Sequence, residues 1–105
     1  MVVSKSKSKK IKITRLRNSI KFYLPRVEGY LEVITGLSKE FDGMSLIEFD
    51  GYFEKKVEPA KYVRAEVHTS KLNEKKVINY AKKIRDRLKQ KSLAVEINGE
   101  FILVE

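Results

Sequence analysis

Two dipeptides limit what this chain can fold into. Asp50-Gly51 and Asn98-Gly99 each fall between short runs of alternating apolar residues. Such pairs tolerate the positive backbone angles of a two-residue hairpin turn, so each predicts two antiparallel strands that meet tightly. Residues 44–49 and 52–57 form one predicted hairpin, and residues 93–97 and 100–104 the other. The tripeptide Phe-Asp-Gly also occurs at Phe41-Asp42-Gly43, just before the first hairpin. A strand of about six residues, at about 3.3 Å each, would hold Asp42 and Asp50 roughly 20 Å apart. They cannot share a metal, and the repeat reads as turn chemistry at the two ends of one strand.

The remaining elements follow from periodicity. Residues 19–24 alternate, with Ile20, Phe22 and Leu24 to one side and Lys21 and Tyr23 to the other, and Pro25 ends this strand. From Val27 the period becomes helical: Tyr30, Leu31, Ile34, Leu37 and Phe41 predict a helix over residues 28–40, weakened by Gly36 and closed by the glycine of Asp42-Gly43. Glu58-Pro59-Ala60 reads as a loop, and residues 62–69 as a strand with Val63, Ala65 and Val67 inward. Ser70 or Asn73 can cap a second helix, whose stripe is Val77, Ile78, Ala81, Ile84 and Leu88. The order predicts an α+β two-layer sandwich: an antiparallel sheet with both helices on one face, a variant of the ferredoxin-like plan.

Charge divides the chain further. Of 23 basic and 14 acidic residues, nine basic and no acidic ones fall in residues 1–26, so the net charge of +9 resides there. Residues 1–17 read as a basic flexible arm, because the serine–lysine run cannot bury apolar area, and residues 18–105 as one domain. Ile11, Ile13 and Leu16 allow a short ordered strand within the arm. Segregated positive charge points to a polyanionic partner. No apolar run is long enough to span a bilayer, so no membrane association is expected. The absence of cysteine fits a reducing, cytoplasmic setting, and excludes disulfides and thiolate metal sites. Abundant Lys, Glu, Ile and Val beside a single glutamine lean toward a thermophilic source.

Phe41-x-Gly43-x-Ser45, Gly51-Tyr52, Glu58 and Gln90-x-Ser92-Leu93 together resemble a loose group of small prokaryotic and viral, or archaeal, domains of unknown function. That group shares an F-x-G-x-[ST] turn, a G-[YW] hairpin, a Glu and a Q-x-[SA]-[VL] strand entry. The resemblance spans residues 19–99 and implies the α+β fold without an activity. Asp42 departs from it, since a second glycine or similarly small residue is expected there.

Function is less legible. The expected function is sequence-independent nucleic-acid binding, DNA or RNA, by a non-enzymatic protein through Lys5, Lys7, Lys9, Lys10, Lys12, Arg15, Arg17 and Lys21, continued by Lys76, Lys83 and Arg87 on the second helix. Its five tyrosines could stack on bases, but no paired aromatic motif marks a binding strand, and Tyr52 and Tyr62 read as rim or interface residues. One alternative is a protein partner bound through the sheet, as in a viral accessory module. Another is a metal-dependent hydrolase built from Asp50, Glu58, Glu66 and the lone His68. No phosphate loop, zinc-helix or serine-elbow motif occurs, and no cofactor or metal is expected. The last strand is apolar on both sides, Phe101 and Leu103 against Ile102 and Val104, which predicts either a homodimer interface or a central strand.

Overall fold

The computed structural model describes residues 10–41, 43–53 and 56–105, and the side chains outside residues 50–60. Five strands and two helices alternate as β1 (Asn18–Pro25), α1 (Tyr30–Glu40), β2 (Met44–Phe53), β3 (Lys56–Thr69), α2 (Glu74–Arg87), β4 (Leu93–Ile97) and β5 (Glu100–Val104). They form one sheet in the order β2-β3-β1-β4-β5, and every neighbouring pair is antiparallel. Two β-α-β units therefore interleave, each with the other's first strand between its own strands. This is the expected ferredoxin-like plan, extended by β5 at one edge.

The alternation of β1 becomes a two-sided surface. Ile20, Phe22 and Leu24 are buried beneath the helices together with Val63, Ala65 and Val67 of β3 and Leu93, Val95 and Ile97 of β4. The helices complete this core with Val33 and Leu37 of α1 and Val77, Ala81 and Ile84 of α2, followed by Leu88. The Phe22 ring is fully buried and lies 6.2 Å from Phe41 and 6.3 Å from Tyr80, centroid to centroid. Asn73 caps α2, its side-chain oxygen accepting the Lys76 N–H at 3.0 Å, and Glu74 adds negative charge to the first turn.

The first hairpin differs from expectation. Asp50-Gly51 is not the turn: β2 continues to Phe53, and β3 runs unbroken from Lys56 through the predicted loop at residues 58–60. The register moves from Phe49↔Tyr62 to Gly51↔Glu58, so Asp50 faces three residues of β3, Pro59, Ala60 and Lys61. This irregularity falls where Pro59 has no N–H to give to the ladder. The Asn98-Gly99 turn is as expected, with Asn98 at φ 49° and Gly99 at φ 87°.

The ends of α1 also differ. The helix begins at Tyr30 rather than residue 28, because Gly29 takes φ 92° at its N-cap. It ends through an extended Phe41 with its N–H on the Leu37 carbonyl, so no left-handed glycine closes it, and Asp42 lies outside the described residues. Val33 occupies the buried stripe in place of Leu31, which is 73% exposed. Gly36 has a packing reason, since a Cβ there would come within 3.2 Å of the Tyr80 hydroxyl.

Candidate functional site

The strand alternation that fills the core must place a second set of side chains on the face away from the helices. That set contains Lys21, Tyr23, Phe49, Tyr62, Arg64, Glu66, Glu96 and Phe101, which the register brings together from all five strands. Four rings form a row. Phe101 lies 5.3 Å from Tyr23, Tyr23 meets Phe49 edge-on at 5.7 Å, and Phe49 stacks on Tyr62 at 5.5 Å. The row borders a shallow depression of about 410 Å³ that also takes in Gln90, Ser92 and Leu103. That volume lies within the range of small-ligand sites.

Charged groups stand beside the rings. The Tyr23 hydroxyl donates to Glu96 Oε1 at 2.8 Å, and Lys21 Nζ reaches Glu96 Oε2 at 3.5 Å. Arg64 pairs with Glu66 at 2.6 Å, and its Nε is buried without a hydrogen-bond partner. The Tyr23 hydrogen bond holds the Glu96 carboxyl below its ordinary value of 4.5, helped by the charges of Lys21 and Arg64. Burial, and then the same carboxylate, push the Tyr23 phenol up. Glu96 is thus a carboxylate at neutral pH, and Tyr23 a fixed donor.

The residues singled out from sequence are scattered by comparison. Lys5, Lys7 and Lys9 lie outside the described residues. Lys10, Lys12, Arg15 and Arg17 are exposed along an irregular segment that precedes β1. Lys21 is turned onto the sheet and paired with Glu96. On α2, Lys76 pairs with Glu40 at 3.4 Å and Arg87 with Glu32, so two of the three chosen cations are tied to α1, while Lys83 is exposed. Tyr80 packs against Phe22, and Tyr30 lies under the Arg26 guanidinium at 5.9 Å.

The proposed metal set does not assemble. Glu58 and His68 belong to the same continuous strand, ten residues and roughly 33 Å apart at the usual rise. Among the described residues no group of three His, Cys, Asp or Glu could hold a metal. Of the basic residues chosen from sequence only Lys21 belongs to the ring-and-carboxylate cluster, joined there by Glu66 of the metal set and by Tyr23 and Tyr62 of the five tyrosines. The missed signal was the polar side of each alternating strand, where Tyr23, Tyr62, Arg64, Glu66 and Glu96 recur at every second position.

No protein-family model matches the chain, and no curated protein matches it. Among solved structures it is similar to a phage SAM lyase in complex with S-methyl-5'-thioadenosine, with 15% identity and a TM-score of 0.64. The likeness covers 90% of this chain and 93% of that one. At this identity it is a likeness of fold. It nevertheless overturns the expectation of a non-enzymatic nucleic-acid binder. The inference to a non-enzyme rested on the lack of short catalytic motifs, and this fold carries a lyase and its small nucleoside ligand elsewhere. Among the described residues no helix is long and apolar enough to cross a membrane.

Proposed function

We propose that the protein is a lyase that cleaves S-adenosylmethionine and receives its nucleoside on the open face of the sheet. The observation that carries this reading is the match over nearly the whole of both chains to a lyase holding S-methyl-5'-thioadenosine. That nucleoside keeps the sulfur, its methyl group and the adenosine. Making it from S-adenosylmethionine therefore breaks the bond between sulfur and the four-carbon amino-acid part. The bonding electrons stay with sulfur, which leaves as a neutral thioether. The four-carbon part closes on its own carboxylate oxygen, or loses a neighbouring proton to become an alkene.

The open face offers groups suited to each part of such a substrate. The rings of Tyr23, Phe49, Tyr62 and Phe101 suit adenine by stacking and a sulfonium by cation–π attraction. Glu66 and Glu96 supply negative charge beside them, and Arg64 offers a planar donor for the substrate carboxylate. A sulfonium already carries the charge that a good leaving group needs, so positioning and charge complementarity are the main demands on the protein.

Incubation of the purified chain with S-adenosylmethionine, followed by chromatography and mass spectrometry, tests this reading. The expected result is stoichiometric release of S-methyl-5'-thioadenosine, strongly reduced in Glu96→Gln. Absence of that product, together with no thermal stabilisation by either nucleoside, would reject the assignment.

A further inference from the structure

We propose that residues 10–17 of one copy add as a sixth strand along the free edge of β5 in a second copy. The segment has the pattern of a strand but no place in its own sheet. Ile11 and Ile13 alternate with Lys10 and Lys12, yet they are 81% and 69% exposed, and Leu16 is 48% exposed. Isolated apolar residues in an alternating run gain nothing from water and much from a pleated neighbour.

β5 is the complementary surface. It is an edge strand, hydrogen-bonded to β4 alone among the described strands. Val104 is buried beneath the helices and Ile102 is half-buried, whereas Phe101 and Leu103 are each 58% exposed. An exposed apolar edge of this kind invites another strand unless something guards it. The charges match as well. Residues 10–17 carry Lys10, Lys12, Arg15 and Arg17 with no acidic residue, and residues 100–105 carry Glu100 and Glu105 with no basic one. None of these six charges has an ion-pair partner among the described residues. On the opposite edge, Glu48 of β2 is already held by Arg26 at 2.7 Å, which makes that edge the poorer match.

Two facts point to a second copy rather than to the chain's own edge. The segment leaves β1 at the end where Asn98 of the β4–β5 turn bonds Asn18 and Ser19, so it continues away from the sheet. Reaching its own β5 would require a reversal within a few residues, and residues 10–17 contain no Gly, Pro, Asn or Asp to make one. Its eight residues span about 26 Å extended, against about 17 Å for the five of β5, so the reach is sufficient.

Sedimentation over a concentration series tests the proposal, comparing the full chain with a chain starting at Asn18 and with Ile11→Ser/Ile13→Ser. Both replaced isoleucines are exposed in the single chain, so the double variant keeps its fold. The expected result is association of the full chain, with at least tenfold weaker association in both variants and at high salt. A monomeric full chain, or association unchanged in the variants, would overturn it. The native chain has no cysteine, so single-cysteine variants report proximity cleanly. Ile13→Cys mixed with Phe101→Cys, Ile102→Cys or Leu103→Cys in turn should form a mixed disulfide with at least one partner. Linkage only within one chain carrying both cysteines would mean docking in cis and would also overturn it.

Discussion

Replacing Tyr23 by phenylalanine should separate the polar half of the open face from its aromatic half. The ring contacts with Phe49 and Phe101 remain, and only the hydroxyl that donates to Glu96 at 2.8 Å is removed. A hydrogen bond to a charged group contributes about 1.5–3 kcal/mol when shielded. The Glu96 side chain keeps 21% of its exposure and can recruit water, so the expected loss is reduced to about 1 kcal/mol. In a chain of 105 residues this lowers the melting temperature by roughly 4–8 °C. The pH dependence has a definite sign. Glu96 is held below 4.5, so its contribution is present above that value and is lost as pH falls through the lower, folded-state value. A double-mutant cycle of Tyr23→Phe and Glu96→Gln, by urea unfolding at pH 7 and pH 3, should give a coupling of about 1 kcal/mol that shrinks in acid. A coupling below about 0.3 kcal/mol at pH 7, or one equal at both pH values, would refute the account of this contact.

Other outcomes can be checked in the same way. Phe22→Ala removes a fully buried ring from the contact of the sheet with both helices and should cost about 3–5 kcal/mol, enough to leave much of the protein unfolded by near-ultraviolet circular dichroism. Asn73→Ala removes the cap of α2 and should cost about 1 kcal/mol in urea titration, with Asn73→Ser recovering most of it. Gly29→Ala forces a side chain into φ 92° with its Cβ 3.3 Å from the Arg87 guanidinium, so stability should fall by about 1–2 kcal/mol. Arg64→Met should weaken S-adenosylmethionine binding in calorimetry more than S-methyl-5'-thioadenosine binding, because only the former has a carboxylate to pair.

Much of the fold was legible because period and turn chemistry act locally. Strict alternation in β1 and β3 marked the buried side chains, and the stripe of α2 included Val77, Ala81 and Ile84, all of which are buried. The errors arose where neighbours override local preference. Asp50-Gly51 is a strong hairpin pair, yet the ladder with β3 carries it into a strand, and the disturbance of register lies opposite Pro59. The site was harder to read. Lysines clustered along the chain attract notice in a sequence, whereas Tyr23, Arg64, Glu66 and Glu96 lie on three strands, and the hydrogen-bonded partners Tyr23 and Glu96 are 73 positions apart.

The sequence by itself determined which side of β1, β3 and α2 is apolar, hence the layered α+β fold, because side-chain direction repeats every two or 3.6 residues whatever the surroundings. Only the tertiary structure decided which polar residues meet. The order β2-β3-β1-β4-β5 sets Tyr23 beside Phe49 and Phe101 and points its hydroxyl at Glu96, and it leaves β5 at an edge. Strand order depends on how the two β-α-β units interleave over a shared core, and no local periodicity encodes that choice.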